Sequence, residues 1–139
     1  MKSLSVKLGV VLVGLAIFDY AEVWGADWKL YDKNDSFSYY YDTQSVSYLS
    51  KNMVRVWLRI DVKEKGLIDM GEALGRKLEN LRYMVGLIEF NCLEKKNRSL
   101  SLTLYDEKGY PIFYDDKSMN WEFIVPESVE DVLYQEVCK

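Results

Sequence analysis

Residues 53–63 alternate without a break. Val54, Val56, Leu58, Ile60 and Val62 take every second position, and Arg55, Trp57, Arg59, Asp61 and Lys63 fill the positions between. Successive side chains of a strand point to opposite faces, so a period of two predicts a long strand with one apolar face and one polar face. A wet face carrying Arg and Trp places it centrally in an antiparallel sheet with one side open, because parallel sheets are covered on both sides. The same period recurs in residues 36–42, where Phe37, Tyr39 and Tyr41 alternate with Ser36, Ser38, Tyr40 and Asp42. In residues 82–92, Met84, Gly86, Ile88, Phe90 and Cys92 alternate with Tyr83, Val85 and Leu87. In residues 99–105, Leu100, Leu102 and Leu104 alternate with Ser99, Ser101 and Thr103. Short strands over residues 28–31 and 110–114 complete about five to six, and Pro111 suits the last one to a sheet edge.

Two stretches change period. Leu67, Gly71, Leu74, Leu78 and Leu81 recur at three- and four-residue steps, which predicts an amphipathic helix over residues 66–81. Asp69 is its expected cap and Glu72 with Arg76 its i,i+4 pair. Gly71 and Gly75 each weaken such a helix by roughly 1 kcal/mol relative to Ala, so they are read as allowing close approach to a neighbour. After Pro126, Ser128 caps a second helix with Asp131 three residues on, and Val129, Val132, Leu133 and Val137 form its stripe. The expected fold is α+β: a single antiparallel sheet, a C-terminal helix packed on it, and a helix inserted mid-chain.

The start of the chain is of another kind. Lys2 and Lys7 precede an uncharged run over residues 8–18 that Asp19 ends. A bilayer span takes roughly 20 apolar residues, so this run reads as a secretory leader, with a buried first helix as the competing reading. Val23 and Gly25 make a small-residue pair before Ala26, so the leader is residues 1–25 and the mature domain 26–139, with no membrane span left after cleavage. No cysteine lies near that site to take a lipid. Loss of Lys2, Lys7, Asp19 and Glu22 takes 18 basic and 22 acidic residues to 16 and 20, leaving the net charge at −4. A mildly acidic domain with no long basic run gives no reason to expect nucleic-acid binding.

Export bears on Cys92 and Cys138. An even pair in an oxidising compartment is expected to form one disulfide; the alternative is a reactive or metal-binding thiol pair, which the lack of histidine and of Cys-x-x-Cys spacing disfavours. Asp115-Asp116 is far short of the oxygen ligands calcium needs, so no metal is expected. With no histidine, no glycine-rich phosphate loop and no ligand cluster, no cofactor and no enzymatic activity are expected; only carboxylates, tyrosines or lysines remain for proton transfer.

Several of these stretches together resemble the surface-adhesin protein E family of small bacterial envelope proteins. The resemblance runs through Tyr40-Tyr41-Asp42 with Ser45-Val46, Val54-Arg55-Val56-Trp57, Glu89-Phe90-Asn91-Cys92, Arg98, Tyr105-Asp106 with Gly109, then Trp121, Ile124, Pro126, Ser128 and Val137-Cys138. It implies an antiparallel sheet with a C-terminal helix held by a disulfide, export in a bacterium, and adhesion to host or matrix proteins. The stretch 66–81 matches none of its motifs.

Candidate binding residues come from the polar side of the central strand. Arg55, Trp57 and Arg59, extended by Tyr40, are expected to form a flat aromatic-basic surface for a protein partner or a self-dimer, since Arg and Trp are enriched at binding hot spots. In the competing reading Tyr39, Tyr41 or the helix over 66–81 covers Trp57, which is then core. Lys95, Lys96 and Arg98 lie in residues 93–98, read as the basic tip of a hairpin. They are a second candidate for contact with an acidic partner, against a solvated turn. The functions in view are an adhesin for host or matrix proteins and a periplasmic structural or complex-forming protein without adhesion. Location is left among periplasm, outer surface and secreted.

Overall fold

The alternating stretch forms β4 (Met53–Val62), the strand on which the sheet is built. The computed structural model describes residues 26–75 and 78–139; the leader, its cleavage site and Arg76 of the expected Glu72 pair lie outside the described residues. Along one side β4 pairs with β5 (Leu81–Asn91), from Met53 opposite Asn91 to Asp61 opposite Tyr83. Its other side is shared. β2 (Phe37–Asp42) pairs with Leu58 to Val62, and β3 (Ser47–Ser50) with Met53 to Arg55. β1 (Trp28–Lys33) lies outside β2, while β6 (Lys96–Asp106) follows β5 and β7 (Pro111–Asp115) closes the far edge. β8 (Glu122–Phe123) pairs with Lys96 and Asn97 at the start of β6.

The order β1-β2-β4-β5-β6-β7 is the expected six-strand antiparallel sheet, with Pro111 on an edge strand. β3 and β8 make eight among the described residues. Strands of four and two residues are too short to leave a period in the sequence. The turn expected over residues 93–98 is shorter, because β6 begins at Lys96, so Lys96 and Arg98 are strand residues and only Lys95 belongs to the turn.

Both helices pack on one face. α1 (Glu64–Leu74) covers Val62, Leu81 and Met84, with Leu67 and Met70 reaching down to them. It starts two residues earlier and ends seven earlier than its apolar spacing predicts. Gly75 takes the left-handed conformation at φ 70°, ψ 27° and its N–H returns to the Gly71 carbonyl, which ends the helix. Leu78 still reaches the cluster, but from the connection that follows, and Leu81 opens β5. Asp69 is no cap: it lies inside α1, where its carboxylate accepts from Ser36 Oγ at 2.7 Å and pairs with Lys65 at 3.0 Å. Gly66 allows a close approach, since an added Cβ would stand 2.4 Å from the Ser36 carbonyl oxygen, whereas Gly75, one of the two glycines expected to do so, meets open space.

α2 (Val129–Val137) covers the other half of that face. Leu133 and Val137 pack with Ile124 on Tyr41, Val54, Val56 and Phe90, and Phe90 is completely buried. Ser128 caps the helix as its sequence predicts, accepting from the Asp131 N–H at 3.2 Å. The disulfide joins Cys92, just past β5, to Cys138 at the helix end, with Cα atoms 5.5 Å apart. Beside it Tyr134 Oη donates to the Cys92 carbonyl at 2.7 Å. Among the described residues, the apolar positions of β4 thus face two helices, and its polar positions face none.

Candidate functional site

The open face follows from register, because residues directly opposite across an antiparallel pair point the same way. Arg55 stands opposite Glu89, and Glu89 opposite Arg98. Trp57, Leu87 and Ser101 form the next row, then Tyr40, Arg59, Val85, Thr103 and Tyr114, then Asp61, Tyr83 and Tyr105. Four rows result. Trp57, Leu87, Val85 and Tyr40 form an apolar band, bounded by the row of Arg55, Glu89 and Arg98 on one side and by Arg59 and Asp61 on the other.

Arg98 reaches this face through a local irregularity. Ile88 stands opposite Ser99 but Leu87 opposite Ser101, so Leu100 is an extra residue in β6. A bulge of this kind reverses which face the following residues use. Strict alternation groups Ser99 with Ser101 and Thr103, whereas Ser99 is on the helix side and Arg98 beside Glu89 on the open side. Leu102 and Leu104 keep their expected place among the residues packed under α1.

Glu89 is the best-built element of the face. It is only 2% exposed, although among the described residues no helix lies on the sheet side it points from. Arg55 Nε donates to its Oε2 at 2.9 Å, while Arg98 Nε and Nη2 lie 2.9 and 2.8 Å from its Oε1. A carboxylate taken out of water costs several kcal/mol unless charge and hydrogen bonds replace the lost hydration, and the two guanidinium groups supply both. The Trp121 ring lies 4.5 Å from the Arg98 guanidinium, completing a row of Arg55, Glu89, Arg98 and Trp121.

The opposite end of the face is also internally paired. Arg59 Nε meets Asp61 Oδ1 at 2.7 Å, and its guanidinium stands 4.0 Å from the Tyr83 ring centre. Tyr83 stacks on Tyr105 at 4.8 Å and 11°. Arg59, Asp61, Tyr40 and Trp28 line a shallow hollow of about 180 Å³.

Of the residues singled out from sequence, Arg55, Trp57, Arg59, Tyr40, Lys96 and Arg98 share this face. Trp57 is 39% exposed. Tyr39 and Tyr41, offered as its cover, stand on the opposite face with α1; Tyr41 belongs to the core under α2, and burial pushes the hydroxyls of both tyrosines above their ordinary value. Lys96 pairs with Glu94 at 3.4 Å and lies 4.7 Å from the Phe123 ring. Lys95 does not join the face: its ammonium turns to Asp131 at 3.8 Å and the Tyr134 ring at 5.5 Å, both on α2. Cys92 and Cys138 form the disulfide and have no part in the face.

Sequence reasoning missed Glu89 and Trp121 as members. Both lay inside stretches that carried the resemblance, and Glu89 continues the Tyr83, Val85, Leu87 series, so a charge on that series was the available signal. No group of three or more metal-ligating side chains occurs among the described residues, nor a helix long and apolar enough to cross a membrane. The arrangement suits non-covalent recognition: a rigid sheet face with aromatic rings, held guanidinium groups and an apolar middle. A family model described as surface-adhesin protein E matches residues 28–139. No curated protein matches the chain.

Proposed function

The chain belongs to the surface-adhesin protein E family, and from that premise we propose that it is an exported envelope protein that binds host, matrix or other envelope proteins through the open sheet face. Residues 1–25 act as its leader and the domain from Ala26 is the mature protein. The observation that carries the binding face is Trp57, 39% exposed between Arg55 and Arg59 on the side that neither helix covers. An exposed Trp among held charges is a poor choice for a free surface and a good one for a contact centre.

The test uses purified mature protein on immobilised matrix proteins. Trp57→Ala is expected to lower capture at least tenfold, while Ile68→Ala, on the exposed side of α1, leaves it unchanged. Equal capture by wild type and both variants overturns the face. Protease shaving of intact cells separates the adhesive role from the periplasmic one: removal fits an adhesin, and survival fits a structural protein of the periplasm.

A further inference from the structure

We infer that the row of Arg55, Glu89 and Arg98, together with Trp57, takes an acidic peptide segment of a protein partner: one carboxylate on the guanidinium ends and a neighbouring apolar side chain on Trp57 and Leu87. The inference rests on the open face being the binding face and names the chemistry of what binds there.

Charge counting decides the class. Arg59 is committed to Asp61 and Lys96 to Glu94, at 2.7 and 3.4 Å. Arg55 and Arg98 share one carboxylate, so their row carries one positive charge in surplus on a chain whose net charge is −4. One surplus charge matches one carboxylate. A sulfated polysaccharide or a nucleic acid needs many uncompensated cations in line, and the adjoining rows do not provide them. A polyanion also leaves Trp57 and Leu87 without an apolar partner.

Geometry supports the same class. A guanidinium has five N–H donors in a plane, and Glu89 occupies only the Nε of Arg55 and the Nε and Nη2 corner of Arg98. The remaining donors belong to side chains 42% and 29% exposed. Glu89 and, for Arg98, the Trp121 ring hold these groups in position, so little side-chain freedom is lost when a carboxylate arrives. Arg recognises carboxylates through paired parallel hydrogen bonds that Lys does not reproduce.

The experiment is selection from a phage-displayed library of random decapeptides on the purified mature protein. Selected sequences are expected to carry Asp or Glu beside an apolar residue. As synthetic peptides they are expected to bind about tenfold more weakly to Arg55→Gln and to recover only in part with Arg55→Lys. Their indole contacts are expected at Trp57 and Trp121 in NMR spectra, with a salt dependence near one ion. Arg98 remains on Glu89 in both variants, and circular dichroism checks that they fold. Neutral or basic selected sequences that still require Trp57 overturn the acidic class and leave the open face standing. Sequences that need neither Arg55 nor Trp57 overturn both. No enrichment, or a heparin fragment bound with a dependence of several ions and lost in Arg55→Gln, also overturns the acidic-peptide assignment.

Discussion

Phe90 and Glu89 are neighbours on β5, both are closed off from solvent, and they are closed off by opposite means. Phe90 lies under α2, among Val54, Val56, Leu133 and Val137, with the Tyr134 ring 6.2 Å away. Glu89 is closed in by the adjacent strands themselves, through Arg55 and Arg98. Burying carbon needs a second layer of structure; burying a carboxylate needs two cations in the right register. The helix-covered face therefore defines the fold and uses up its surface in doing so. The open face is ordered by pairs within one layer and keeps its outer surface available.

Phe90→Ala breaks the covered side of this comparison and is expected to have the largest effect. Removing a fully buried ring leaves a cavity between sheet and α2, for a loss of about 4 to 5 kcal/mol by urea denaturation. Cys138→Ser acts on the same layer through the chain. The disulfide closes a separation of 46 residues. The chain-entropy account gives about 4 kcal/mol for a loop of that size, as an upper figure. Hydrogen exchange is expected to quicken in α2 and stay slow in the Arg55, Glu89 and Arg98 strands. Uniform quickening would mean that the open face depends on the helix layer after all.

Glu89→Gln tests the other side. Loss of the charge weakens two ion pairs whose arginines remain partly hydrated, so a cost of about 1 to 3 kcal/mol is expected, below that of Phe90→Ala. Replacing all three side chains sharpens the point. Well-packed apolar replacement of a complete buried ion-pair set is often neutral for stability, so the Arg55→Met, Glu89→Leu, Arg98→Met triple variant is expected to approach wild type in urea, whereas Glu89→Leu alone leaves two guanidinium groups unpaired and is expected to be the less stable of the two. A triple variant as unstable as Phe90→Ala would show that the two burials are not different in kind.

The two faces also differ in how far residues alone revealed them. The period of two in β4 identified the apolar face, and Ser128 with Asp131 identified the start of α2, because both signals are local. The end of α1 was hidden because Leu78 and Leu81 continue its spacing while leaving the helix at Gly75. The row through Glu89 was hidden for a different reason. Its members come from β4, β5, β6 and Trp121, and only the bulge at Leu100 turns Arg98 toward Glu89. Register across strands and a one-residue insertion carry no periodic signal, so the candidates Arg55 and Arg98 were visible while the carboxylate that joins them was not.

The smallest expected effect is acid sensitivity, and it belongs to the covered side. The Ser36 hydroxyl and then Lys65 hold the Asp69 carboxyl below its ordinary value of 3.8, and the Glu127 N–H is the main cause of the same shift at Asp131. Both groups sit on the helices, inside α1 and in the first turn of α2. A carboxyl with a lower pKa in the folded chain binds its proton more weakly there than in the unfolded chain. Its contribution to stability is therefore complete above the unfolded value and is lost as pH falls through the folded one. Denaturation midpoints of wild type and the Asp69→Asn, Asp131→Asn double variant are expected to differ above the ordinary carboxyl range and to converge as pH falls below it. Exchange measured in acid is expected to rise first in α1 around Asp69 and in the first turn of α2. Midpoint curves that stay parallel down to the lowest pH would show that these two carboxyl groups do not hold the helices onto the sheet, and that apolar packing and the disulfide do.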